Sequence, residues 1–274
     1  MTSPALQEII ALLGCPAAGN PAQYLFERAI AAAELDWQFV TCDVTEGDVA
    51  EAIAGVRALG FRGCLLAGRL RTAAVPHLAT LSPSAAFAGA VSLIERRDDG
   101  LAGHMTDGRG IVEAVRAHGD PAGKVALVVG ADACGRAAAL ELALAGAAAI
   151  VVADPDSAAA TALVEALAAV HGTQASTLQW ATSLVMPADV GIVALAPQSA
   201  VRFAADSLRP ELLLADATLD GELSAAAAQA AARGCCVIDG IEIHAVQAAI
   251  EFHALAGIEP DTDMLREALE EYLS

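Results

Sequence analysis

Continuous apolar runs alternate with segments of helical period along the first third of the chain. EIIALLG (8–14), WQFVTC (37–42) and RGCLLAG (62–68) read as strands, separated by a helix opened by Asn20 and Pro21 and by another over residues 45–60. A further helical segment is predicted to about residue 90. AVSLIERRDDGLAGHM follows, and its central DDG has the composition of a hairpin turn. A helix over 107–119 leads to GDPAG, a Gly/Pro loop and candidate domain boundary. Beyond it, KVALVVG, a helix over ACGRAAALELALAG, and AAIVVAD form a β-α-β unit, extended by apolar runs near 190–195, 211–216 and 236–238. Residues 244–273 read as two helices. The runs are apolar throughout rather than alternating, which is the pattern of parallel strands covered by helices on both faces, so the fold class is α/β.

Composition narrows the picture. A length of 274 residues suggests two domains, and 56% hydrophobic with only 4% aromatic residues suggests a tightly packed, helix-rich globule. The formal charge of −19 argues against nucleic acid and anionic membrane surfaces as partners. The start, MTSPALQEIIALLGCP, lacks a basic region and carries Glu8, which argues against a secretory signal; no charge-free apolar stretch long enough for a membrane span occurs. Cysteines 15, 42, 64, 134, 235 and 236 form no C-x-x-C pair or metal-like spacing, so no metal is expected. Mostly buried free thiols in a reducing cytoplasm are predicted, with Cys235-Cys236 read as a strand start rather than a redox pair.

Candidate chemistry appears first in VALVVGADACGRAAAL. Gly130, Asp132 and Gly135 occupy the three positions of a G-x-G-x-x-G dinucleotide turn, with Ala131 between the first two. Asp132 replaces the middle glycine and brings a side chain and a negative charge to the place where a pyrophosphate approaches, although the following helix N-terminus still offers N–H groups. Asp154, about twenty residues on, suits the carboxylate that binds an adenosine ribose, favouring NAD over NADP; the other reading makes it the cap of the helix after PDS.

A second candidate is GHMTDGRG at 103–110, with Asp107 among glycines just ahead of a helix. Thr106 or Asp107 there is an ordinary helix cap. A catalytic carboxylate is the competing reading.

Taken with FRG (61–63), LSP (81–83), AGAVSLI (88–94) and DGIEIHAVQ (239–247), these motifs resemble the shikimate/quinate dehydrogenase family in its own order over nearly the whole chain. The resemblance implies an N-terminal α/β substrate domain, residues 1–106 completed by 242–274, and a C-terminal Rossmann-like NAD(P)-binding domain, residues 107–241. It implies hydride transfer between a nicotinamide and a hydroxy acid bound in a cleft. It also makes Asp107 the family's N-T-D-G aspartate.

The chain departs from that pattern at the proton-shuttling lysine of N-V-T-x-P-x-K, where LLAGRLR (65–71) places Arg71. The single lysine, Lys124, starts a strand elsewhere. A guanidinium stays charged and is a poor shuttle but a good carboxylate clamp or electrostatic partner. His104 and Asp107 are then the nearest groups for proton transfer, with a structural role the alternative for His104. Family hydroxyl and amide positions fall at Asn20, Ala22, Leu65, Ala67, Ser92 and Leu219, whereas the late glutamine is kept as Gln247. Each lost ring contact removes roughly 1 kcal/mol, which argues for a substrate smaller or less hydroxylated than shikimate or quinate.

The sequence therefore predicts a cytoplasmic, NAD-preferring oxidoreductase with Asp107 and Arg71 as catalytic groups, Gly130, Ala131, Asp132, Gly135 and Asp154 for the cofactor, and Ser92 and Gln247 for the substrate. Homo-oligomerisation is left open. The alternative is a non-catalytic metabolite- or nucleotide-binding protein that keeps the fold.

Overall fold

The computed structural model describes residues 7–170, 172–197 and 199–274. The first six residues of the stretch weighed as a secretory signal lie outside them. The chain divides into two compact units, residues up to 106 together with 248–272, and residues 107–247. The GDPAG loop lies within the second unit, joining a helix to a strand, and is not the point of division.

In the first unit, β1 (Glu8–Gly14), β2 (Trp37–Asp43), β3 (Gly63–Leu66), β4 (Thr80–Leu81), β5 (Leu93–Arg97) and β6 (Gly100–His104) form a mixed sheet in the order β2-β1-β3-β5-β6-β4. β1 pairs in parallel with both β2 and β3, whereas β5 and β6 form the antiparallel hairpin, closing at Arg97↔Gly100 across Asp98-Asp99. Helices α1 (Ala22–Ala32) and α2 (Val49–Ala58) make the crossovers. The predicted helix to residue 90 is instead broken into α3 (Leu70–Ala73), a single turn at Val75–His77, β4 and α4 (Pro83–Ala88). Proline cannot donate to a helix ladder, and Pro76 and Pro83 each sit at the start of a new turn.

The second unit opens with α5 (Asp107–His118). β7 (Val125–Val129), α6 (Ala133–Leu144), β8 (Ala149–Ala153), α7 (Ser157–Ala168), β9 (Gln174–Thr177), β10 (Val190–Leu195), β11 (Leu213–Asp216), α8 (Ala225–Ala231) and β12 (Cys236–Ile238) follow. All pairings in its sheet are parallel, in the order β12-β11-β10-β7-β8-β9. β9 escapes the hydrophobic pattern because QAST is a polar, largely exposed edge strand. Leu127, Val193, Leu195, Phe203 and Leu214 meet in the core on one face of this sheet. Each such side chain, fully buried, contributes about 1.5–3 kcal/mol.

From β7 the chain winds outward through β8 to β9, then returns to β10 and winds the other way through β11 to β12. The strand order thus reverses between β7 and β10, and in open α/β sheets ligands bind at the carboxyl ends of the strands at that reversal. The sheet builds its binding position before any side chain is considered.

The last helices are α9 (Gly240–Ala256) and α10 (Thr262–Leu273). α9 begins four residues earlier than the periodicity predicts, since Asp239 Oδ1 accepts from the Glu242 N–H at 2.9 Å and caps it. Residues 248–272 pack into the first unit, where the Phe26 ring lies 5.9 Å from Phe252 and Arg62 Nε donates to the Leu255 carbonyl at 2.6 Å.

Candidate functional site

The turn after β7 stands at the strand reversal. The Gly130 N–H donates to the Ala153 carbonyl at 2.9 Å and the Ala196 N–H to the Val129 carbonyl at 2.9 Å, which ties together the ends of β7, β8 and β10. A Cβ on Gly135 would lie 1.9 Å from the Gly130 carbonyl oxygen, so the third glycine is required for α6 to start this close to the strand end. Gly130 has φ +104°, a backbone conformation that suits glycine.

The two carboxylates of this turn are used within the chain. Asp132 is the N-cap of α6 and accepts from the Gly135 N–H at 2.9 Å. Asp154 Oδ2 accepts from the Ala131 N–H at 2.7 Å while its Oδ1 accepts from the Asp156 N–H at 2.7 Å. The helix cap weighed for Asp154 belongs to Asp156, whose Oδ1 accepts from Ala158 and Ala159. A pocket of about 350 Å³ adjoins the turn, lined by Gly130, Asp132, Asp154, Trp180 and Ser199 among others. No lysine or arginine lines it among the described residues. Trp180 and Ser199 were not singled out in the sequence, because neither lies within the glycine motif; the strand order is what brings them there.

Asp107 is the first residue of α5, where a carboxylate is favoured by the helix dipole. It is only 6% exposed, and its Oδ1 accepts a hydrogen bond from Gln247 Nε2 at 2.8 Å. The neighbouring glycine has a packing reason, since a Cβ on Gly108 would lie 2.2 Å from the Ala137 carbonyl oxygen of α6. Asp107 and Gln247, 140 residues apart in sequence, are thus brought together within the second unit.

The preceding residue is held in the first unit. Ser92 Oγ accepts from the Thr106 N–H at 2.9 Å and lies 2.8 Å from Thr106 Oγ1, which donates to Glu251 Oε1 at 2.6 Å. Ser92, Thr106 and Glu251 are all buried. Glu251 stands four residues after Gln247 on α9, so α9 holds both consecutive residues of the Thr106-Asp107 pair. Sequence reading missed Thr106 as a side-chain partner and Glu251 altogether; the i,i+4 spacing from Gln247 was the available signal.

Arg71 is half-buried on α3, and its carbonyl accepts from the Val91 N–H at 2.8 Å, next to Ser92. His104, at the end of β6, lies 3.0 Å through Nε2 from Glu95 Oε2, which also accepts from Arg97 Nε at 2.9 Å. Burial lowers the His104 pKa, opposed by Glu95 and aided by Arg97. Lys124 precedes β7, at the far end of that strand from the Gly130 turn. Three of the six free thiols are buried, Cys64, Cys134 and Cys235, whereas Cys15 is exposed and Cys42 and Cys236 are half-buried, so the expectation of mostly buried cysteines is met only in part. No helix among the described residues is long and apolar enough to cross a membrane.

Comparison with known proteins agrees with this architecture. No family model matches the chain. A shikimate dehydrogenase (NADP(+)) from Moorella thermoacetica is 39% identical over 161 residues, 58% of this chain and 55% of that protein. The match thus spans little more than half of the first curated relatives, 55% and 58% of their lengths. Further shikimate dehydrogenases align over 94–96% of their lengths at 26–29% identity. Among solved structures, ligand-free 5-ketofructose reductase of Gluconobacter sp. strain CHM43 superposes with a TM-score of 0.92 at 27% identity, covering 97% of this chain and 99% of that one. Shikimate 5-dehydrogenase from Listeria monocytogenes, in complex with shikimate and NAD, gives a TM-score of 0.87 at 25% identity over 96% of each chain. The order of motifs, the reversal of the second sheet and these likenesses together show an α/β fold similar to that of the shikimate dehydrogenases and support the resemblance to the shikimate/quinate dehydrogenase family.

Proposed function

We propose that the protein is a nicotinamide-dependent oxidoreductase acting on a hydroxy acid or carbonyl compound, with the second unit holding the dinucleotide and the first contributing to substrate binding. The observation that carries this reading is the buried Asp107–Gln247 hydrogen bond beside a dinucleotide-type turn on the same unit. When bound, a nicotinamide supplies or accepts hydride. This chain's residues position the other reactant. Asp107 accepts a hydrogen bond from the reacting hydroxyl, and Gln247 fixes the orientation of the carboxylate. Ser92 and Glu251 act through Thr106, holding the backbone that enters Asp107. Arg71, always protonated, clamps a carboxylate or polarises a carbonyl and does not shuttle the proton.

NAD is the preferred cofactor in this reading. The pocket at the turn presents Asp132 and Asp154 and no cation among the described residues, so a 2′-phosphate would meet repulsion without a partner. The Moorella relative's name carries NADP(+), whereas the Listeria enzyme was crystallised with NAD. In this reading a dinucleotide lies against the turn, in the pocket lined by Gly130 and Trp180.

A second reading, a non-catalytic protein binding a metabolite or nucleotide, is favoured by one observation. Asp132 and Asp154 already occupy N–H groups of the turn that a pyrophosphate would otherwise use.

The deciding experiment measures NADH and NADPH formation or consumption with shikimate, quinate, simpler hydroxy acids and 5-ketofructose, alongside ligand-induced thermal shifts. Turnover with NAD supports the oxidoreductase. A thermal shift without turnover across the panel would replace it with the binding protein.

A further inference from the structure

A second constellation lies in the second unit, away from the residues assigned above. Cys236 opens β12, an edge strand of the parallel sheet, and its Sγ lies 3.6 Å from Nδ1 of His118, the last residue of α5. The other ring nitrogen, Nε2, lies 2.7 Å from Oε1 of Glu242 in the first turn of α9. The imidazole is thus spent on both sides, one nitrogen toward a thiol and the other toward a carboxylate. That is a linear relay and not a cage converging on a metal ion.

The chemistry follows from the tautomer. A carboxylate accepts only, so the hydrogen shared with Glu242 sits on Nε2, which leaves the Nδ1 lone pair facing the Cys236 thiol. A nucleophile within reach of a base that is itself oriented by a third group is the general arrangement of activated thiols and hydroxyls. Both partners are accessible, with about a third of the His118 and Glu242 side chains exposed. The adjacent thiol differs in every respect. Cys235 is buried, donates to the Arg209 carbonyl at 3.1 Å, and has its pKa raised by burial. Cys64 is pushed up to about 12 by burial. Neither is a nucleophile near neutral pH.

We propose that Cys236, with His118 as base and Glu242 as its orienting carboxylate, is a nucleophilic thiol that takes low-molecular-mass disulfides and is reversibly converted to a mixed disulfide. His118 Nδ1 accepts the thiol proton, and the sulfur attacks one sulfur of the disulfide. One S–S bond forms as the other breaks, the leaving thiolate carries away the electron pair, and the imidazolium returns its proton to that thiolate. Glu242 stabilises the imidazolium in between. The incoming disulfide is the oxidant, one of its halves leaving as a thiol as Cys236 is oxidised to the mixed disulfide, and the site stands whether or not the protein is an oxidoreductase.

The test incubates the full-length protein with glutathione disulfide near neutral pH and follows each cysteine by peptide mass mapping. Cys236 is expected to be thiolated at least about tenfold faster than exposed Cys15, in keeping with the contribution of a positioned base. His118→Asn is expected to bring Cys236 down to the Cys15 rate while leaving Cys15 unchanged, and Glu242→Gln to fall between. Equal rates for Cys236 and Cys15 in the unaltered protein, or an unaffected Cys236 rate in a folded His118→Asn variant, would overturn the proposal. Should His118→Asn fail to fold, the comparison within the unaltered protein, repeated with iodoacetamide, decides alone.

Discussion

Gln247 donates its side-chain amide to Asp107 across 2.8 Å, so a buried carboxylate at the start of α5 takes its orientation from α9. If that carboxylate holds the reacting hydroxyl, Asp107→Asn lowers kcat by about 10²–10⁴-fold with the fold intact. Gln247→Ala is expected to lower kcat less, by about tenfold, because it loosens the carboxylate without removing it. Steady-state kinetics on whichever substrate the panel yields, with circular dichroism as the folding control, checks both. Asp107→Asn retaining full turnover would remove Asp107 from the mechanism.

Thr106→Val tests the buried link to Glu251. Valine matches threonine in shape but cannot donate to Glu251 Oε1 or meet Ser92 Oγ. The expected loss is about 1–3 kcal/mol of unfolding free energy in urea, the range for removing a buried hydrogen bond to a charged group. A change under about 0.5 kcal/mol would mean that the Glu251 carboxylate is satisfied without Thr106.

Asp132→Gly separates the capping role of Asp132 from its proposed role toward a dinucleotide. It removes the cap on Gly135, costing only a few tenths of a kcal/mol of stability because glycine is itself tolerated at an N-cap, and frees an N–H while removing a negative charge. Titration calorimetry should show tighter NAD binding, by about tenfold if 1.4 kcal/mol of repulsion is relieved. Asp154→Asn should raise NADP affinity relative to NAD; an unchanged ratio would separate Asp154 from cofactor choice.

His104 gives the stability of the protein a pH dependence of known sign. Burial holds its folded pKa below the usual imidazole value of about 6.5, so above that pH both folded and unfolded forms are neutral and the contribution is complete. As pH falls below it, the unfolded chain takes up the proton first and stability declines until the folded form also protonates. Glu95 opposes the shift and Arg97 reinforces it. Urea midpoints measured from neutral to mildly acidic pH should fall in the native protein and fall less in His104→Gln. A slope unchanged by that substitution would assign the effect to another group.

What could be read from the sequence depended on how each element satisfies itself. EIIALLG and VALVV announce strands because each is an uninterrupted apolar run that must be covered on both sides. Residues 70–90 did not announce themselves. There Ser82 Oγ caps α4 by accepting from the Ala85 N–H at 3.2 Å, and Gly89 ends it at φ +68°, signals too local for a periodicity to carry. Asp107 and Gln247 were individually visible as motif residues, but Glu251 was not, since an acid on a helix ordinarily faces water. Asp154 is singled out by spacing alone. That both its oxygens are bonded to backbone N–H groups depends on the loop geometry after β8, which spacing does not encode.

The route of the chain through the two units sets an order on its synthesis. The strands of the first unit emerge first, yet Phe252, Leu255 and Glu271, which meet Phe26, Arg62 and Arg28, are made only after the whole of the second unit. A ribosome releasing this protein therefore carries an incomplete first unit throughout translation of the second, and that unit closes around its own C-terminal segment last. Truncation after Gln247 would leave its apolar surface bare and open to aggregation, whereas the second unit would keep residues 107–247.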